Sequence, residues 1–168
     1  VLPEETGLIN EIGNWVFMQA AAWAKRWSTL RGSVFQISVN KSPVQFLANA
    51  KSPHWSAYLK DLGLEWNCMS VEITEGLLLN ATDATAEKLF SLRDAGVQVA
   101  IDDFVTGYSS MAYLKKFAVD YLKVDQSFIR DTARNSTGRT IAETIIVMAH
   151  KLGLPRHQQR KALRYRIV

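Results

Sequence analysis

The sequence predicts an α/β fold built on parallel strands. Short β-branched segments alternate along the chain with longer segments whose apolar residues recur at helical spacing. This alternation is typical of strand–helix–strand units, in which a crossover helix makes successive strands run parallel. With 168 residues, of which 48% are hydrophobic and 21% charged, the chain is long enough for one domain with a substantial core. Periodicity alone leaves both a barrel and an open sheet possible.

The first predicted elements depend on capping signals and periodicity. Thr6 is the expected N-cap of a helix whose apolar residues recur through 12–23. Alternating apolar and polar residues predict a strand at 34–39. Ser42 followed by Pro43 predicts the start of another helix, because Pro is favoured at the first helical position.

The rest of the chain continues the same alternation, and Gly96 is placed to end a helix. The predicted strands are 70–74, 97–101 and 121–124, and the predicted helices are 83–95, 109–117 and 137–152.

Polar residues lie at the ends of these predicted strands: Asn40, Glu72, Asp102, Asp103 and Lys123. Because the carboxyl ends of parallel strands meet on one side of a sheet or barrel, we expect these side chains to converge. An amide and three carboxylates suit Mg²⁺ or Mn²⁺ rather than Zn²⁺. Adjacent Asp102 and Asp103 repel unless a cation lies between them. Paired metals of this kind activate water for phosphoryl displacement, and Lys123 is predicted to hold that water or neutralise a phosphate.

Each of these residues also has a structural explanation. Asn40 fits a turn, and Glu72 fits the outward position of an alternating strand. The two aspartates fit a cap on the following loop, and Lys123 fits a solvated strand end. Their succession at one strand end after another favours a site.

Composition argues against several classes of protein. No apolar run approaches the roughly 20 residues that span a bilayer. The single Cys68 excludes an internal disulfide, fits a reducing cytoplasm and is expected to be buried and inert. The net charge of +4 comes from the acid-free segment 155–168, which is expected to be a solvated tail rather than a site for nucleic acid or anionic lipid. We therefore expect no nucleic-acid polymer as a partner.

Four segments resemble the motifs of EAL-type cyclic-di-GMP phosphodiesterase domains. They match the family's asparagine motif, its Glu-x-Thr-Glu motif, its Asp-Asp-Phe-Gly-Thr-Gly-Tyr-Ser-Ser loop and its Lys-Ile-Asp-x-x-Phe motif, at residues 38–46, 71–75, 101–110 and 121–128 respectively. The stretches that flank them, 4–9 and 148–154, are also similar to the family. The resemblance extends over about residues 2–154.

The resemblance implies a TIM-like (β/α) barrel and, as substrate, the bacterial second messenger cyclic-di-GMP. The family hydrolyses this dinucleotide to linear pGpG with Mg²⁺ or Mn²⁺. The metal ligands that it implies here are Asn40, Glu72, Asp102 and, for the second metal, Asp103.

The resemblance also implies two supporting residues. Lys123 would orient the attacking water, and Glu75 would anchor the loop 103–110, which in the family links substrate, metals and dimer interface. Cyclic-di-GMP, a second copy of the chain and further domains of a parent protein are therefore the expected partners.

The sequence departs from the family pattern at three points. The Glu-Ala-Leu motif does not occur, and the tail 155–168 stands where the family has Ala-Glu-Gly-Val-Glu. Val105 replaces a loop glycine, which costs about 1–3 kcal/mol if that position needs a positive φ. We therefore expect an incomplete domain at 1–154, forming a partial barrel of weak or no activity. The alternatives are a non-catalytic module that binds cyclic-di-GMP or a protein, and an inactive gene product.

Overall fold

The computed structural model describes residues 2–47, 55–79, 81–104, 117, 119–124, 136–151 and 153. At the centre of these residues lies a four-stranded sheet whose strands pair in chain order. The strands are β1 (Ile37–Asn40), β2 (Met69–Thr74), β3 (Gln98–Phe104) and β4 (Tyr121–Val124).

Every pair of neighbouring strands is parallel. A doubly wound sheet reverses its strand order at a switch point, whereas strands of a (β/α) barrel follow one another in sequence. The order β1-β2-β3-β4 is therefore that of a TIM-like barrel, and the described residues form a four-strand arc of it. The predicted fold class is confirmed.

Helices accompany the strands. They are α1 (Leu2–Glu5), α2 (Leu8–Arg31), α3 (Pro43–Leu47), α4 (Trp55–Asp61), α5 (Glu75–Leu79), α6 (Asp83–Asp94) and α7 (Ser136–Lys151), with a 3₁₀ turn at Trp66–Cys68. No helix among the residues described combines the length and the apolarity needed to cross a membrane.

The two faces of the sheet differ in chemistry because side chains alternate along each strand. Val39, Val71 and Val99 are buried and share a register row, so they form one apolar face. The opposite face is mainly polar, with small residues between the charged ones, and contains Ser38, Asn40, Ser70, Glu72, Ala100 and Asp102. This polar face carries the candidate site.

The core beneath the apolar face is closed by α2. The side of α2 that is buried presents small residues, Ala20, Ala21 and Ala24, together with Phe17. The Phe17 ring stacks on Trp55 at a centroid distance of 3.9 Å. Small side chains let the long helix lie close to the sheet, and the aromatic pair fills the space towards α4.

The predicted N-cap at Thr6 was wrong, whereas the predicted helix start at Ser42 and Pro43 was right. The N-cap of α2 is Gly7 rather than Thr6: the chain is already helical in α1, and Gly7 separates the two helices with a φ of 77°. Glycine adopts this left-handed conformation at little cost. At α3, Ser42 Oγ accepts from the Gln45 N–H at 3.4 Å and the Ser42 N–H donates to Gln45 Oε1 at 3.0 Å, as in a capping box.

The strand boundaries were predicted with mixed accuracy. β4 has the bounds predicted for it, β1 begins three residues later than 34, and β3 continues to Phe104. Asp102 and Asp103 consequently lie within a strand rather than after it. The predicted helix at 109–117, apart from Phe117, and the basic tail 155–168 lie outside the described residues.

Candidate active site at the carboxyl end of the sheet

The ammonium of Lys123 lies between two carboxylates. Its Nζ is 2.5 Å from Glu72 Oε2 and 2.8 Å from Asp102 Oδ1. The Lys123 side chain is 24% exposed, whereas those of Glu72 and Asp102 are 8% and 16% exposed. These three residues come from three different strands, and the fold brings them together as the sequence predicted.

The register explains how residues on separate strands meet. Glu72 of β2 pairs with Ala100 of β3, which in turn pairs with Tyr121 of β4. Strands lie about 4.8 Å apart, so Lys123 must reach across the whole width of β3 to contact Glu72. Ala100, the β3 residue in register with Glu72, is buried and adds only a methyl group to this face. Sequence reasoning did not single out Ala100, because nothing local marks an alanine as a spacer.

A bulge in β3 changes what faces Lys123. Ile101 pairs with Leu122 and Phe104 with Val124, so two residues of β3, Asp102 and Asp103, lie opposite the single Lys123. Bulges of this kind redirect side chains and are frequent beside active sites. The Asp103 side chain lies outside the described set, so its assignment as a ligand of the second metal stays a prediction.

Asn40 lies at the same end of the sheet. It is exposed and pairs in register with Glu72. The pairing extends one residue further, since the Lys41 N–H donates to the Glu72 carbonyl at 2.8 Å. The ladder thus puts Asn40 on the same face of the sheet as Glu72, and its role as a metal ligand stays a prediction.

Glu75 begins α5 directly after β2, and it is buried. A buried carboxylate at this position needs partners, which is consistent with an anchoring role. The loop that Glu75 is predicted to anchor, from residue 105 to 110, lies outside the described residues together with Val105.

Asp120 fixes the start of β4 against β3 and was not predicted. Its Oδ2 accepts from the Val99 N–H at 2.7 Å, and its own N–H donates to the Val99 carbonyl at 2.9 Å. The side chain therefore adds one more rung to the β3–β4 ladder, three residues before Lys123. An acidic residue immediately before a predicted strand was the only sequence signal for this contact.

A second lysine lies next to Asn40. Burial lowers the pKa of Lys41, and repulsion from Lys88 lowers it further. The Lys41 ammonium lies 5.0 Å from the centre of the Trp55 ring and 5.5 Å from that of Phe46, so aromatic faces partly replace its hydration. Sequence reasoning missed Lys41 because Trp55 and Lys88 come near it only when the chain folds.

The donors at this end of the sheet fit a hard divalent cation. Oxygens of Glu72 and Asp102 already converge on one cationic centre, and the Asn40 amide belongs to the adjacent register row. The part of the chain that the structure describes contains no group of three His, Cys, Asp or Glu side chains placed to bind a metal. Glu72 and Asp102 are therefore the two described carboxylates that meet at this point, and the roles of Asn40 and Asp103 as further ligands stay predictions.

A family model for the EAL domain matches residues 1–156. The chain belongs to the EAL domain family. It is 36% identical over 154 residues to the bifunctional diguanylate cyclase/cyclic di-GMP phosphodiesterase MucR of Pseudomonas aeruginosa. That match covers 91% of this chain and 22% of MucR, so this EAL chain spans less than a quarter of that protein.

Solved structures of EAL domains share the fold. The structure of PaMucR phosphodiesterase in complex with c-di-GMP superposes with a TM-score of 0.83 at 36% identity, covering 91% of this chain and 62% of that one. A Klebsiella pneumoniae BlrP1 structure, a manganese/c-di-GMP complex, has a TM-score of 0.68 at 29% identity. That match covers 81% of this EAL chain and 35% of BlrP1.

Proposed function

We propose that this EAL domain binds cyclic-di-GMP at the carboxyl end of its sheet, and that its residues belong to a site that hydrolyses the dinucleotide to pGpG. The observation that carries the proposal is the contact of Lys123 with both Glu72 and Asp102. Support comes from related proteins, since MucR is named a bifunctional diguanylate cyclase/cyclic di-GMP phosphodiesterase and the PaMucR and BlrP1 structures are c-di-GMP complexes.

The metal ligands in this proposal are oxygen donors: Asn40, Glu72, Asp102 and Asp103. Mg²⁺ or Mn²⁺, when bound, supplies Lewis acidity that favours hydroxide over water and neutralises the charge of the phosphodiester. The manganese in the BlrP1 complex supports a divalent cation of this class.

Lys123 acts on the water in this proposal. An ammonium has three N–H donors, of which two point at Glu72 and Asp102. The third donates to the oxygen of the attacking water and holds it in line with the phosphorus. Because the two carboxylates hold the ammonium in place, little conformational freedom is lost when the water binds.

Glu75 is the supporting residue in this proposal. Its buried carboxylate, at the junction of β2 and α5, is proposed to anchor the loop that follows Asp103.

The test is a cyclic-di-GMP binding titration on the 168-residue chain, with and without Mn²⁺, followed by chromatography for pGpG. Binding is the primary measurement because the Glu-Ala-Leu motif does not occur in these residues. We expect Mn²⁺ to strengthen binding in the native chain and to have little effect in Asp102→Asn. Glu87→Gln on the exposed surface of α6 is the matched control for removing one charge.

Two outcomes would contradict the proposal. If the chain bound no cyclic-di-GMP with or without Mn²⁺, these residues would not form a nucleotide-binding site. Binding that needs neither the cation nor Asp102 would exclude the metal-dependent site and favour a non-catalytic binding module.

A further inference from the structure

The carboxyl-terminal half of α2 carries large apolar side chains that are exposed. Trp23 and Trp27 are each 40% exposed, and Leu30 is 70% exposed. At about 100° per residue, these three residues fall within about 60° of one another around the helix axis. Another side of the same helix is buried at Phe17 and Ala24. The three exposed side chains therefore form an apolar stripe beside the buried side of α2.

Two arginines border this stripe. On the same helical projection, Arg26 lies about 40° beyond Leu30, and Arg31 lies about 40° beyond Trp27. The Arg26 guanidinium is 5.0 Å from the centre of the Trp23 ring. Both arginines are exposed, and within the described ranges neither of them forms a salt bridge. We call these five residues the basic–aromatic patch.

The chain that leaves α2 folds back against the patch. Gly32 ends the helix with a φ of 69°. The Phe35 N–H then donates to Ser28 Oγ at 2.8 Å, and the Phe35 ring centre lies 6.0 Å from that of Trp27. The last turn of α2 is thus held in place by contacts with the following segment.

The sequence around the patch is entirely free of acids. Residues 12–60 include neither Asp nor Glu, and they contain six basic residues: Lys25, Arg26, Arg31, Lys41, Lys51 and Lys60. The whole chain has a net charge of +4, so the remaining residues together are net acidic. Positive charge is therefore concentrated in the part of the chain that contains the patch.

We propose that the basic–aromatic patch docks α2 onto the surface of an anionic lipid bilayer, with the helix lying in the plane of the interface. Tryptophan is favoured at the level of the lipid headgroups, because its ring is apolar and its N–H is polar. Leu30 enters the boundary of the acyl chains, as apolar residues of interfacial helices do. Arg26 and Arg31 reach lipid phosphates, which guanidinium groups bind through paired hydrogen bonds.

The charge of the patch selects lipid over a second copy of the chain. Two copies that met through this patch would bring the Arg26 and Arg31 side chains of both into one interface, and like charges placed opposite each other repel. A bilayer with anionic headgroups attracts the same charges. Docking of this kind does not depend on the nucleotide chemistry proposed above.

Flotation with vesicles tests the electrostatic part of the proposal. The chain is mixed with phosphatidylcholine vesicles that either lack or contain phosphatidylglycerol, at low and at high salt. We expect binding only with phosphatidylglycerol, and weaker binding at high salt because salt screens the attraction. Arg26→Glu removes one attraction and adds a repulsion, so it should weaken binding about 30-fold. Arg160→Glu makes the same change of net charge within the basic segment 155–168 and should have a much smaller effect.

A polar substitution tests the apolar part. Trp23→Gln should weaken binding to the same vesicles about tenfold, because less apolar surface is removed from water. Ile146→Gln is the matched control, since Ile146 is 50% exposed on α7, away from the patch in sequence. Circular dichroism of each variant confirms that it is folded.

A fluorescent label tests which surface touches the lipid. The native thiol, Cys68, is 1% exposed, so an environment-sensitive dye attaches selectively to Leu30→Cys. We expect the emission of this label to shift to the blue on vesicles that contain phosphatidylglycerol. The same dye on Ser91→Cys, at the exposed surface of α6, should not shift.

Three outcomes would overturn the proposal. The first is a native chain that does not float with anionic vesicles. The second is binding that Arg160→Glu weakens as much as Arg26→Glu does, which would assign it to the basic segment or to net charge alone. The third is an equal shift of both labels, or none, because the patch would then not be the part of the chain that meets the lipid.

Discussion

Lys123 and Glu72 are joined across an intervening strand. Their Nζ and Oε2 atoms are 2.5 Å apart although Lys123 lies on β4 and Glu72 on β2. β3 separates the two strands, and its residue in register with Glu72 is Ala100. The contact therefore depends on the small size of Ala100 as well as on the two charged groups.

Ala100→Leu should break this contact. The larger side chain would occupy the path of Lys123, and overpacking of a buried site costs about 1–3 kcal/mol. We expect a lower free energy of unfolding in urea and a weaker effect of Mn²⁺ on cyclic-di-GMP binding. Ala100→Ser, which adds one atom, is the control and should change both quantities much less. Equal effects of the two substitutions would show that the size of the side chain at position 100 does not affect the Lys123–Glu72 contact.

Lys123→Met should leave two carboxylates facing each other without a cation. Removing one partner of a fully buried ion pair costs roughly 3–5 kcal/mol, and the partial exposure of this site reduces the cost to about 2 kcal/mol. Mn²⁺ should replace the lost charge, so we expect it to raise the melting temperature of Lys123→Met more than that of the native chain. Thermal unfolding with and without Mn²⁺ measures this. An equal response of both proteins would argue against a shared cation position at Glu72 and Asp102.

Asp120→Ala should loosen the start of β4. The Val99 N–H would lose its acceptor, and a buried donor left without one costs about 1–3 kcal/mol. Hydrogen exchange at the Val99 amide should become faster, because the rung that Asp120 adds to the ladder is gone. Asp120→Asn keeps an oxygen acceptor and should exchange more slowly than Asp120→Ala. Protection at Val99 that is unchanged in Asp120→Ala would mean that the contact is not formed in solution.

Cys68 should react slowly with thiol reagents. Burial raises its pKa to about 11, because the thiolate is disfavoured away from water. At pH 8 the thiol is therefore protonated as well as covered, and its labelling rate in the native chain should stay low until the pH approaches that pKa or the protein opens. Absorbance with an aromatic disulfide reagent measures the rate, and the urea-unfolded chain is the reference. Rapid labelling of the folded chain at pH 8 would contradict the burial of Cys68.

Local patterns were sufficient for much of the fold. The alternation that predicted β4 and the Gly96 signal for the end of α6 depend on neighbours in sequence, and the structure contains both elements at those places. The Thr6 prediction failed because a local cap signal cannot show that a short helix already precedes it. The boundary between α1 and α2 lies at Gly7, which has a positive φ.

The sequence by itself determined the α/β class, the polar residues of successive strands and, through its motifs, the EAL family. Only the tertiary structure decided that Lys123 crosses β3 to Glu72 and that a bulge sets Asp102 and Asp103 opposite one lysine. The physical reason is that periodicity and capping act within a few residues. Register, bulges and the space beside a small side chain arise only when distant strands pack together.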